Sequence, residues 1–199
     1  VIQADEFFSN LLRKICGPEY TKRIDIIFED LHKSSRALYE FQEEGKKREI
    51  IAPSYFKVLV LSQSSWITNV DDIHQTPIDV PIGVREVLSD FAQFYLLQNP
   101  KKRLEWNHHF SRVKLSICNP GFIKEIQCNG IAATIFCLFN DHKILTKKEI
   151  IDLCKGSEKI IDECIKVLKS KKNGKILKSL KAPSKSGYVI DLESELATN

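Results

Sequence analysis

Five histidines (32, 74, 108, 109 and 142) and six cysteines (16, 118, 128, 137, 154 and 164) are the side chains best suited to metal binding, proton transfer or nucleophilic attack. Their spacing fits none of these. Zinc and redox motifs place two cysteines a few residues apart, but the closest pair here, Cys128 and Cys137, is nine positions apart. His108 and His109 are adjacent, and neighbours on a strand point to opposite faces, so they read as surface or hairpin residues. The eight glycines form no phosphate-cradling cluster, and neither a serine elbow nor a cysteine-nucleophile motif occurs. No catalytic group, cofactor or metal site is expected. The thiols read as small buried hydrophobes, which suits a reducing compartment and predicts a cytoplasmic or nuclear location.

Charge allows one other chemistry. Lys166, Lys169, Lys171, Lys172, Lys175, Lys178 and Lys181 crowd one late stretch and would neutralise nucleic-acid phosphates. Glu158, Asp162 and Glu163 precede them, where a recognition helix would meet base edges, and carboxylates there repel the backbone. The net charge is only +4, with acids spread along the chain. Nucleic-acid binding through this helix is therefore the rival reading, not the favoured one. No apolar run approaches the ~20 residues that cross a bilayer, and the acidic start Val1–Glu6 lacks the parts of a signal peptide. With 43% hydrophobic and 28% charged residues over 199 positions, the composition is that of a globular chain able to bury a core. A chain without Met reads as part of a longer protein.

Hydrophobic periodicity places these residues on elements. Phe8, Leu11, Leu12 and Ile15 predict a helix over Asp5–Cys16, stopped by Gly17-Pro18. Thr21 is the expected cap of a second helix carrying Ile24, Ile27, Phe28, Leu31, Leu38 and Phe41, with the charged run Glu43–Glu49 as its solvated end or a loop. Tyr55–Leu61 reads as a strand, followed by a polar connection through Trp66 to Pro81 and a helix over Val84–Leu97. Arg103–Trp106, Ser111–Cys118 and Phe122–Cys128 read as short strands, the last two a hairpin around Asn119-Pro120-Gly121. Beyond Gly130 come three helices, over Ile131–Asn140, after Thr146 and after Ser157, and two strands, Lys175–Leu180 and Tyr188–Ile190. Three helices and a two-stranded wing make a winged-helix order.

In that order the chain resembles the cullin homology region. Cys16-Gly17-Pro18-Glu19-Tyr20-Thr21, then Phe28-Glu29-Asp30 and Ser34-Ser35, is similar to the segment closing the cullin four-helix bundle. Val58-Leu59-Val60-Leu61 with Trp66 resembles the family's strand and tryptophan turn. Phe91, Phe94-Tyr95 and Lys102-Arg103-Leu104-Glu105-Trp106 match the following helix and strand, and Lys124–Gln127 with Leu138-Phe139-Asn140 match the approach to the first winged helix. Ser64, Ile67 and Lys101 depart from the family pattern, and the cullin-like subunit of the anaphase-promoting complex shares the same landmarks.

The resemblance implies an α+β chain in three parts: bundle-closing helices (1–50), a small mixed β-sheet domain with a packed helix (51–128), and a winged-helix domain (129–199). It implies a non-catalytic scaffold of a cullin–RING ubiquitin ligase. A RING-finger subunit would add a strand to the sheet and thereby position a ubiquitin-charged E2; no membrane partner is implied. The expected RING-subunit interface comprises Phe56, Val58, Val60, Trp66, Leu104, Trp106, Val113 and Leu115, with the two tryptophans as anchors.

Overall fold

The computed structural model describes residues 2–47, 55–63, 78–119, 122–170, 177–181 and 186–190. The chain divides into two compact units, Val1–Asp71 with Val87–Lys102, and Asp72–Glu86 with Arg103–Asn199.

The first unit opens with α1 (Ile2–Cys16) and α2 (Pro18–Lys47). Gly17 turns between them at φ 89°, in the left-handed region that glycine tolerates. Helix α2 starts at Pro18, three residues before the expected cap, because a proline fits a first turn, where its missing N–H costs nothing. Thr21 is consequently buried inside the helix, its hydroxyl 3.1 Å from Asp25. Arg13 from α1 pairs with the same carboxylate at 2.5 Å, and buried Ser9 donates to it at 3.4 Å. This polar network fixes the α1–α2 register, while Phe8, Leu11 and Ile15, the expected core stripe of α1, face solvent. The charged run after Glu43 stays helical as far as Lys47.

The buried stripe of α2 also differs from the expected one. Asp30, Ser34, Ala37, Phe41 and Gly45 are buried, whereas Ile24, Ile27, Phe28, Leu31 and Leu38 are only half-buried. Asp30, Ser34 and Ala37 have short side chains and Gly45 has none, so another backbone can approach α2 closely. Residues 55–63 occupy that position. They were expected to include a strand, but no described strand pairs with them. The Val60 amide donates to Ser34 Oγ at 2.7 Å, the single hydrogen of that hydroxyl is shared between the Asp30 carbonyl at 2.7 Å and the Val60 carbonyl at 3.0 Å, and the Ser62 amide donates to Asp30 at 2.7 Å. Helix side chains thus satisfy backbone groups that a strand would otherwise have taken. Helix α3 (Ile82–Gln98) supplies Phe91, Phe94 and Tyr95, which pack with Phe41 and Phe56 in one aromatic cluster.

In the second unit, β1 (Val113–Asn119) and β2 (Phe122–Cys128) form the expected antiparallel hairpin, Val113 opposite Cys128 and Asn119 opposite Phe122. Three helices follow: α4 (Gly130–Cys137) with a 3₁₀ turn at Leu138–Asn140, α5 (Lys147–Cys154) and α6 (Glu158–Lys169). Thr146 caps α5 in a reciprocal box with Glu149. Ser157 stands at the cap position of α6, but its hydroxyl makes no capping bond. The strands β3 (Leu177–Lys181) and β4 (Ser186–Ile190) pair antiparallel, and Leu145 bridges to Tyr188 on β4. Ile135, Ile150, Ile161, Leu168 and Leu177 are at most 2% exposed and centre one core, against which Leu115, Ile117 and Cys128 of the hairpin also pack.

Two further strand expectations are corrected. Arg103–Trp106 forms no strand: no described strand lies alongside to take its backbone groups, and a lone short strand is not stable. In place of the small mixed sheet expected over 51–128, the described residues of that stretch hold the antiparallel β1–β2 pair alone, and β3 with β4 occupies the place of the two late strands expected separately.

Candidate functional site

The eight expected interface residues are split between the units. Phe56, Val58 and Val60 belong to the first, where Phe56 joins the aromatic cluster, Val58 is buried at 8% exposure and Val60 is tied to Ser34. Leu104, Trp106, Val113 and Leu115 belong to the second; all four are half-buried, and Leu115 packs on the core. Trp66 lies outside the described residues. The structure therefore places the first three in segment 55–63 of the first unit and the next four in the second unit, Leu104 and Trp106 outside any helix or strand and Val113 and Leu115 on β1.

Segment 55–63 has two distinct sides. Even-numbered side chains at 56, 58 and 60 are buried or half-buried; Tyr55, Leu59 and Leu61 are 84%, 61% and 37% exposed. This period of two is that of extended backbone. In such a chain the N–H and C=O groups of one residue share an edge, and those of the next residue take the opposite edge. Val60 and Ser62 point their edge at α2. Lys57, Leu59 and Leu61 accordingly present donors and acceptors on the far edge, where the described residues place no strand. Sequence reasoning missed Ser34 and Asp30, which create this asymmetry. The available signal was two polar residues in helical register with Phe41.

Of the six cysteines expected to be small buried hydrophobes, Cys128, Cys137, Cys154 and Cys164 are buried or half-buried, whereas Cys16 and Cys118 are exposed. Burial pushes the Cys154 thiol up to about 12 and the Cys128 thiol up to about 11, and raises Cys137 and Cys164 as well. Thiols held so high are protonated and poor nucleophiles. Among the described residues no three His, Cys, Asp or Glu side chains converge as a metal site, and no helix is long and apolar enough to cross a membrane. A cleft of about 160 Å³ lies between β2 and α6, lined by His109, Ile126, Cys164 and Val167. On the lysine-rich face, Lys169 donates to Ser179 and lies over the Tyr188 ring, 5.5 Å from its centre. The helix-start carboxylates Glu158 and Asp162 are both held by Lys147.

His108 is half-buried, and burial lowers its pKa below the ordinary histidine value. Just below that ordinary value the unfolded chain binds more protons, so His108's contribution to stability is complete above it. That contribution is lost as pH falls through the lowered folded value. Urea midpoints should therefore drop on mild acidification, and His108→Gln should flatten that slope; equal slopes in the two proteins would remove the assignment.

The comparisons agree with this architecture. The family model described as the cullin alpha+beta domain matches residues 60–195, more than half of the chain. Cullin-1 of Caenorhabditis elegans is 29% identical over 189 residues, covering 91% of this chain and 23% of that protein. Cullin-3 of Saccharomyces cerevisiae is 27% identical over 154 residues, covering 77% and 20% respectively. Cullin-4 of Caenorhabditis elegans is 24% identical over 202 residues, covering 98% and 23%. The chain thus spans about a fifth to a quarter of the length of these relatives.

Proposed function

Because the chain belongs to the cullin family, we propose that it is a non-catalytic scaffold segment of a cullin–RING ubiquitin ligase, which docks a RING-finger subunit by strand addition. The RING subunit would then hold a ubiquitin-charged E2, and rate acceleration would come from proximity supplied by those partners. One observation carries the reading. Segment 55–63 spends one backbone edge on α2 and offers the other, at Lys57, Leu59 and Leu61, to an incoming strand. Ladder bonds along such an edge give affinity, and pockets for alternate side chains give specificity.

Other features support the wider layout. The uncovered stripe of Phe8, Leu11 and Ile15 on α1 suits the end of a helical bundle whose other helices would cover it. Helices α4, α5 and α6, the Leu145 bridge and the β3–β4 pair support reading residues 129–199 as a winged helix. A reducing location, cytoplasmic or nuclear, fits the free thiols.

Co-expression with a RING-finger subunit, followed by size-exclusion chromatography, tests the docking. The wild-type chain should co-elute with the subunit. Leu59→Pro removes one outward donor and places a ring on the docking edge, so it should abolish co-elution while the chain stays folded. A folded wild-type chain that elutes alone would remove the proposal, as would a Leu59→Pro chain that still co-elutes. Trp106→Ala should weaken the complex if that ring is an anchor; unchanged affinity would assign it to the core.

A further inference from the structure

The far end of segment 55–63 hangs on a carboxylate. Asp30 is only 6% exposed, yet it accepts the Ser62 amide at 2.7 Å and the Ser62 hydroxyl at 2.9 Å. Ser62 itself is exposed and lies in a stretch without helix or ladder. One helical turn from Asp30, the fully buried Ser34 accepts the Val60 amide at 2.7 Å. Successive anchor points on α2 are therefore a hydroxyl and an anion.

We propose that Ser62 is a phosphorylation site, and that phosphorylation there releases residues 60–63 from α2. Protein kinases take their substrates as accessible, extended chain, which Ser62 offers. Ser34 is buried, and Ser35 is part of α2, bonding back to the Leu31 carbonyl. The donor would be ATP. The Ser62 oxygen attacks the γ-phosphorus, the bond to the bridging oxygen breaks, ADP leaves with that electron pair, and the hydroxyl proton passes to the kinase's base. The product has no hydroxyl hydrogen to give Asp30 and carries about two negative charges beside it. The nearby ammonium of Lys33 is already paired with Glu29 at 2.6 Å. Repulsion in this partly desolvated position favours the detached segment.

Loss of RING docking on phosphorylation rests on the strand-addition proposal; the release itself does not, and it is measured on the chain alone. Hydrogen exchange at the Val60 and Ser62 amides reads the attachment directly. Ser62→Glu should exchange faster than Ser62→Gln at both amides by about tenfold or more. Adding Asp30→Asn to the Ser62→Glu variant should return the rate to that of Asp30→Asn alone. Equal exchange in the Ser62→Glu and Ser62→Gln variants, or no rescue by Asp30→Asn, would overturn the charge mechanism. Mass spectrometry of the protein recovered from its own cells with phosphatase inhibitors should find phosphate on Ser62. Its absence throughout growth and arrest would overturn the modification.

Discussion

Phe91→Ala is expected to lower the stability of the first unit by about 3–5 kcal/mol, the cost of emptying a fully buried aromatic site. Phe91 has no exposed surface, and its ring lies 5.3 Å from Phe41, 6.0 Å from Phe56 and 6.0 Å from Tyr95. Those contacts join α2, segment 55–63 and α3, so the cavity cannot close by moving one element. The urea midpoint should fall, and exchange at the Val60 amide should quicken along with exchange in α2 and α3. Phe91→Leu keeps most of the volume and should cost less than half as much. A midpoint shift no larger for alanine than for leucine would show that the cluster is not the keystone of this unit.

The aromatic cluster was partly legible. Phe41, Phe91, Phe94 and Tyr95 fall at helical spacing, and Phe56 shares a face with Val58 and Val60 at a spacing of two, so local spacing points each residue to the right kind of local backbone. Their convergence was not legible, because periodicity reports which face is apolar and not what that face meets. Tyr55–Leu61 shows the limit most clearly. Its β-branched and aromatic residues give the local preference of a strand, but a strand also needs a neighbour, and Ser34 holds the Val60 amide instead, with Asp30 holding Ser62 just beyond. Thr21 shows the same limit at a helix start, where a good capping residue was overruled by Pro18.

Short-range chemistry survived better. Thr146 and Glu149 close their capping box three residues apart, and Val113, Leu115 and Ile117 turn inward while Lys114, Ser116 and Cys118 are exposed. Both signals are complete within a few residues. The attachment of segment 55–63 to α2 is not: it depends on hydrogen bonds spanning 26 and 32 positions. Under the proposed strand addition, the incoming chain would pair with the backbone of Lys57, Leu59 and Leu61, while the side chains of Phe56, Val58 and Val60 face inward.

Gly130→Ala reverses the usual helix rule and should destabilise the second unit by about 2–4 kcal/mol. In an ordinary helix interior the same change gains about 1 kcal/mol from propensity. Here an added Cβ would sit 2.4 Å from Ser111 Oγ and 3.2 Å from the His108 carbonyl. Rotating Ser111 away is not free, since its hydroxyl donates to the His108 carbonyl at 2.8 Å and accepts the Gly130 amide at 2.9 Å. The clash therefore either breaks those bonds or pushes α4 off the turn preceding β1, loosening the core at Ile131 and Ile135. Urea unfolding should show the loss. Introducing Ser111→Gly first removes the blocking oxygen, so Gly130→Ala should cost distinctly less in that background. If the penalty were the same with and without Ser111, close approach at this turn would not be what reserves position 130 for glycine.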